Sequence, residues 1–147
     1  MIDVTAEIVI ARPRAEVAAY ATDPDNATKW YAQIERVEWE TDPPLGLGSR
    51  VSFVARFLGR RLAYTYEIVE LVPRELLRMQ TDRGPFAMET TYRWADTATG
   101  TRMTLRNRGG PSGLARLFDP VAARAVRRST RKDLDRLRRI LEAPTAP

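Results

Sequence analysis

The side chains able to do chemistry in this sequence are hydroxyls, amides, carboxylates and cations, because its 147 residues include no cysteine and no histidine. Without cysteine there is no disulfide, no thiolate nucleophile and no cysteine metal ligand. Without histidine the commonest general base and the commonest metal ligand are missing. A Ser-His-Asp arrangement is excluded, and neither a transition metal nor a cofactor is expected. Acid–base work falls to Asp, Glu, Tyr, Arg, Lys or ordered water. No two carboxylates stand at a telling spacing. Glu67 and Glu89 alternate with the apolar positions of their segments, which turns them outward, and Arg106 and Arg108 do the same. No residue is therefore assigned a catalytic role.

The chain instead concentrates aromatic and methionine side chains at alternating positions: Phe53, Phe57, Tyr64, Tyr66, Met79, Phe86, Met88, Tyr92, Trp94 and Met103. Methionine adapts its shape, and tyrosine carries a hydroxyl at the end of an apolar body. Such a set either lines a pocket for a flat or acyl-like molecule or packs as ordinary core. Tyr64 and Tyr66 are the sharpest candidates, since two hydroxyls on one strand face need partners if buried. Asn107 shares the inward face with Met103 and Leu105. It either binds a ligand carbonyl or is satisfied internally.

These positions need strands to carry them. Ile2–Ala11 alternates apolar and polar residues and predicts a half-buried strand. Pro13 stands where a helix begins, and Arg14–Thr22 carries an apolar stripe of Val17, Tyr20 and Ala21. Asp23-Pro24 interrupts that helix, and Asp25 or Asn26 is placed to cap a second short one ending near Trp30. Strands are then predicted over 34–40, 50–58, 61–72, 76–81, 86–95 and 101–108, separated by Gly- and Pro-containing turns. Hairpin spacing of this kind favours an antiparallel meander over βαβ units. After Gly109-Gly110-Pro111, Ser112 suits the cap of a short helix over Leu114, Leu117 and Phe118. Asp119-Pro120 then opens a long helix whose buried stripe reads Val121, Ala125, Leu134, Leu137, Ile140 and Leu141, with an interruption expected at Arg128–Thr130. Pro144 stops it, leaving a short frayed tail over 144–147.

The length suits one domain, and no apolar run approaches the ~20 residues that cross a bilayer. With no signal peptide visible, the default location is the cytoplasm. The net charge of +5 comes from the last segment. There Arg124, Arg127, Arg128, Arg131, Lys132, Arg136, Arg138 and Arg139 surround the apolar stripe, broken by Asp133, Asp135 and Glu142. Such a face can meet an anionic surface or phosphates. It has no interleaved aromatics, so nucleic acid is not favoured, and a solvated face is the plainer reading.

Strand, two short helices, six strands and a long helix describe an α+β domain in which one amphipathic helix covers a curved antiparallel sheet. At this point the chain resembles the START-like, Bet v 1-like helix-grip superfamily, and within it the polyketide cyclase/dehydrase-like branch. The likeness is carried by EIVIARPRAEVAAYATDPDNATKW (7–30), GLGSRVSF (46–53), YEIVELVPRELLRMQ (66–80), TYRWADTATGTRMTL (91–105) and DLDRLRRILEA (133–143). It implies a seven-stranded sheet wrapped around the long helix, with a ligand cavity between them. It also puts the two short helices at one mouth of that cavity, where Tyr20, Trp30 and Tyr31 either gate entry or anchor the helices.

The candidate ligand-binding set is Tyr20, Trp30, Phe53, Tyr64, Tyr66, Met79, Phe86, Met88, Tyr92, Met103, Asn107 and Phe118. The expected function is binding of a small apolar molecule of polyketide, acyl, isoprenoid or quinone type. The alternatives are a polyketide cyclase, aromatase or dehydratase, and a protein that meets RNA, ribosome or membrane through its basic helix. A monomer or a homodimer through an exposed sheet edge or the short helices fits the sequence equally well. A shared fold does not choose among these functions.

Overall fold

A computed structural model describes residues 2–57, 59–83, 87–109 and 120–144 of the chain. The element order is β1 (Ile2–Ile10), α1 (Arg14–Thr22), a 3₁₀ turn (Pro24–Asn26), α2 (Ala27–Trp30), β2 (Ile34–Trp39), β3 (Arg50–Phe57), β4 (Arg60–Val72), β5 (Leu76–Arg83), β6 (Met88–Thr97), β7 (Gly100–Gly109) and α3 (Pro120–Glu142). All strands join one antiparallel sheet in the order β1-β7-β6-β5-β4-β3-β2. Consecutive strands from β2 to β7 are neighbours, as hairpin spacing requires, and β1 closes the sheet against β7. The result is the α+β helix-grip fold, a curled sheet grasping its last helix.

Period-two alternation decides which face turns inward. Val4, Ala6 and Ile10 of β1, Leu77 and Met79 of β5, Tyr92 and Trp94 of β6, and Met103 and Leu105 of β7 are buried. The outer face carries ion pairs between neighbouring strands. Glu35 bridges Arg56 and Arg61, Arg78 meets Glu70 and Glu89, and Asp3 meets Arg106 and Arg108. Glu89, Arg106 and Arg108 thus point outward as their alternation predicts. Register shifts put an extra residue on β2 between Ile34 and Arg36, on β5 opposite Thr65 and Tyr66, and on β4 between Ile68 and Glu70, and an extra residue on one strand kinks and twists the pair. Gly100 closes the β6–β7 hairpin with φ +154°, and a side chain there would collide with the Ile10 carbonyl oxygen.

The helix is anchored at its C-terminal half. Leu134, Leu137 and Leu141 are buried, α3 packs on β1, and the Glu142 carboxylate accepts the Ala11 N–H at 2.8 Å. Three expectations about the helices need correction. First, α3 runs unbroken through Arg128–Thr130. The Thr130 hydroxyl donates back to the Val126 carbonyl at 2.9 Å, so it is satisfied inside the helix, and burial of Thr130 offsets the slight helix-weakening effect of such a bond. Second, Ala125 is exposed and Val126 is half-buried in its place. Counting back from Leu134 in steps of four reaches Thr130 and Val126, so Ala125 lies about 100° off the buried face. Third, Asp23 caps the 3₁₀ turn by accepting the Asp25 N–H at 3.0 Å, while Asn26 precedes α2 without a side-chain cap. The short helix expected over Leu114, Leu117 and Phe118 lies outside the described residues.

Candidate functional site

Toward its N-terminal half the helix leaves the sheet unfilled. A cavity of about 230 Å³ lies between the inner faces of β3 to β7, the α1–α2 segment and α3. Its sheet wall is made by alternation. Phe53 and Ala55 come from β3, Leu62, Tyr64, Tyr66 and Ile68 from β4, Leu77 and Met79 from β5, and Met88, Thr90 and Tyr92 from β6. The short helices contribute Ala27, Trp30 and Tyr31. The helix contributes Val126, Ser129, Thr130 and Asp133, on the buried phase of α3 but mostly short and polar.

Of the candidate residues, Trp30, Phe53, Tyr64, Tyr66, Met79, Met88, Tyr92 and Asn107 line this cavity. Tyr20 and Met103 do not. Tyr20 packs partly buried against the core on α1, and Met103 is fully buried between Ile8 and Trp94 in the sheet register. Phe86 and Phe118 lie outside the described residues. The sequence reading missed Thr90 and Asp133 as wall residues. Thr90 sits between Met88 and Tyr92 on the same strand face, so its alternation was the available signal. Asp133 precedes buried Leu134 and stands one helical turn before Leu137, so the phase of the helix was the signal there.

The wall is apolar with a line of hydroxyls running through it. Tyr64 stacks on Phe53 at 5.7 Å between ring centroids and meets Tyr66 edge-on at 5.3 Å. The Tyr66 hydroxyl lies 2.9 Å from Thr90 Oγ1, which donates to Asn107 Oδ1 at 2.7 Å. With the single Thr90 proton committed to Asn107, Tyr66 is the donor to Thr90. Asn107 is thus held by a side chain rather than by backbone, and its Nδ2 has no partner among the described residues. The Tyr31 and Tyr92 hydroxyls are hydrogen-bonded to each other. Trp30 lies against both rings, at 4.0 Å from Tyr31 and 5.9 Å from Tyr92. The Tyr64 hydroxyl has no hydrogen-bond partner among the described residues.

Burial dominates the electrostatics. It pushes the Tyr66 phenol up to about 12, and it raises those of Tyr31, Tyr64 and Tyr92 well above the ordinary tyrosine value. Near neutral pH all of them stay protonated, so they act as O–H donors and not as phenolate bases. Two carboxylates line the cavity, Asp23 at its exposed rim and Asp133, which is buried. Burial raises the Asp133 pKa to about 6, against the opposing pull of the Ala32 N–H, which donates to Oδ1 at 3.1 Å, and of the nearby Arg136 guanidinium. Arg136 also donates to the Trp30 carbonyl at 3.0 Å, tying α3 to the end of α2.

The outer side of the same helical turns is cationic. Arg124, Arg127, Arg128, Arg131 and Lys132 are exposed there, whereas Arg138 and Arg139 pair with Asp135 at 2.7 and 3.0 Å. Among the described residues no group of acidic side chains is arranged to hold a metal ion, and no helix is long and apolar enough to cross a membrane.

The architecture recurs in solved structures at low identity. The protein TTHA0849 from Thermus thermophilus superposes with a TM-score of 0.82 at 20% identity, covering 98% of this chain and 99% of that one. The di-domain ARO/CYC StfQ from the steffimycin biosynthetic pathway gives 0.75 at 15% identity over 96% of this chain and 51% of its own. Ara h 8.0201 gives 0.71 at 11% identity over 95% and 96% of the two chains. At these identities the likeness is one of fold. Among curated proteins none matches the chain by sequence. A sequence-family model does match, over residues 1–142, and the chain belongs to that family, described as polyketide cyclase / dehydrase and lipid transport.

Proposed function

We propose that the protein binds a small, flat, hydrophobic molecule bearing a carbonyl group in the cavity between the sheet and α3. The observation that carries this reading is the wall itself. It is an apolar enclosure of about 230 Å³ in which Tyr64 keeps a protonated hydroxyl with no internal partner among the described residues. Concave, mainly apolar sites with a few placed polar groups are the usual small-molecule pockets. At about 230 Å³ this one lies just below their usual range of about 300–1,000 Å³, which favours a compact ring system over a long acyl chain. Aromatic faces of Phe53, Tyr64 and Trp30 suit a flat ligand, and the Tyr64 hydroxyl with Asn107 Nδ2 supplies donors for a carbonyl. A polyketide-like or quinone-like compound meets these requirements better than a saturated lipid.

The test is native mass spectrometry of gently purified protein, with extraction of any bound molecule, followed by titration with 1,4-naphthoquinone read by Trp30 fluorescence. Near-stoichiometric occupancy by an aromatic carbonyl compound, or saturable quenching lost in Trp30→Phe, supports the reading. An empty protein that neither quinone nor acyl probes bind overturns it.

A second reading, a cyclase, uses the same site. The Tyr66–Thr90–Asn107 chain and the Tyr31–Tyr92 pair are fixed donors that can fold and orient a chain with several carbonyls, where positioning rather than a strong base does the work. Turnover of a poly-β-ketone analogue to a ring product, slowed by Tyr66→Phe, distinguishes catalysis from binding.

A further inference from the structure

We infer that Asp133 selects the ligand: the molecule the cavity takes carries a hydrogen-bond donor, a hydroxyl or enol, which the free carboxylate oxygen of Asp133 accepts. This rests on the cavity reading above and narrows it. The argument is one of atoms. Asp133 is 5% exposed and occupies the buried phase of α3, at a position where the neighbouring turn carries leucine. Oδ1 is committed, accepting the Ala32 N–H at 3.1 Å with Arg136 Nη1 at 3.5 Å. Oδ2 has no partner among the described residues, yet it is not among the sealed atoms that lack one. It therefore keeps some accessible surface, and the space that Asp133 lines is the cavity.

Buried carboxylates are found where something bonds them, because an unmet one carries its full desolvation penalty. The protein meets half of this carboxylate and leaves the other half facing the ligand space. The Tyr64 hydroxyl, on the sheet side of the same cavity, is a donor in the same condition. An acceptor on the helix and a donor on the sheet together describe a hydroxy-carbonyl compound with a flat body between its two polar groups.

Discrimination follows from geometry. A site built to bond a hydroxyl rejects the analogue that lacks it, because the site's own buried group is then left unpaired. The test uses 2-naphthol and its methyl ether, which differ in the donor and share the ring system, by calorimetric titration at pH 7.5. Wild type is expected to bind 2-naphthol at least tenfold more tightly than 2-methoxynaphthalene. In Asp133→Leu the two are expected to bind within twofold of each other. Asp133→Asn, which keeps an oxygen acceptor and the fold's contact to Ala32, is expected to retain part of the preference. Equal binding of the two probes by wild type overturns the inference while leaving the cavity reading intact. A preference that survives undiminished in Asp133→Leu also overturns it. If neither probe binds while 1,4-naphthoquinone does, this inference falls alone; if 1,4-naphthoquinone and acyl probes fail as well, the cavity reading falls with it.

Discussion

The two halves of α3 have the same period and opposite outcomes. From Leu134 to Leu141 the inward phase carries leucines, which fill the space above the sheet until they are buried. From Val126 to Asp133 the same phase carries Ser129, Thr130 and Asp133, and the space above the tyrosines stays open. One continuous helix lies over one continuous sheet, so backbone shape alone does not separate the closed end from the open one. Side-chain length at equivalent helical positions does. The cavity is written as a run of short polar residues inside an amphipathic pattern, with large aromatic rings left facing them.

That comparison can be broken from either end. The largest effect is expected from Leu137→Ala, which hollows the closed half. Truncating a fully buried leucine costs about 2–5 kcal/mol, read as a lower denaturation midpoint. The converse change, Thr130→Leu, carries the closed half's chemistry into the open half. It is expected to abolish binding of naphthoquinone while leaving the thermal midpoint unchanged or higher; loss of folding instead would show that the open half has no spare room.

A third expectation concerns charge. The Asp133 pKa is raised in the folded protein, so folding favours the protonated carboxyl. Its contribution is intact below the unfolded value of 3.8 and is lost as pH rises through about 6. The charged group bearing on it is Arg136 on its own helix, while Tyr92 of β6, whose phenol feels the Asp133 charge, stays neutral. Asp133→Asn is therefore expected to gain stability relative to wild type between pH 4 and pH 7, by about 1–2 kcal/mol, measured as the difference between two denaturation curves at each pH. No gain, or a gain with the opposite slope, would place the carboxylate in a wetter setting than its burial implies. Tyr66→Phe is expected to cost about 1 kcal/mol, since it removes one hydrogen bond and leaves Thr90 bonded to Asn107. The smallest effect belongs to the outer face of the same turns. Arg127→Glu with Arg131→Glu is expected to leave naphthoquinone affinity within twofold, because those cations are exposed and do not line the cavity.

Much of the sheet was legible because alternation is a direct print of the pleat. The strands from Ile34 to Gly109 fall close to the expected bounds, and Tyr64, Tyr66, Met79, Met88 and Tyr92 face the space expected of them. What alternation omits is height along the strand. Met103 shares the inward face of β7 with Asn107, yet it pairs with Ile8 and Trp94 at the closed end, while Asn107 reaches the open one. A face can be read from the sequence, but a position under the helix depends on how the sheet curls. The helix was harder for a related reason. Ser129 and Thr130 read as a break because their propensity is weak, whereas packing on both sides holds them in a helix that their shortness leaves hollow. Asp133 read as an interruption of a basic run until its phase with Leu137 placed it indoors.

The lack of cysteine and histidine, first met as a restriction on catalysis, has a further meaning for what the cavity can hold. Quinones and unsaturated ketones are electrophiles, and in most proteins they are lost to thiols, imidazoles or amines. Here the chain supplies neither thiol nor imidazole, and its two lysines, Lys29 and Lys132, are exposed and outside the described cavity wall. Among the described residues the polar groups of the wall are neutral phenols, the amides of Gln33 and Asn107, short hydroxyls, the carboxyls of Asp23 and Asp133, and Arg108, whose guanidinium is held by Asp3. To a reactive guest such a wall is inert glassware, able to keep an electrophile intact and to surrender it unchanged.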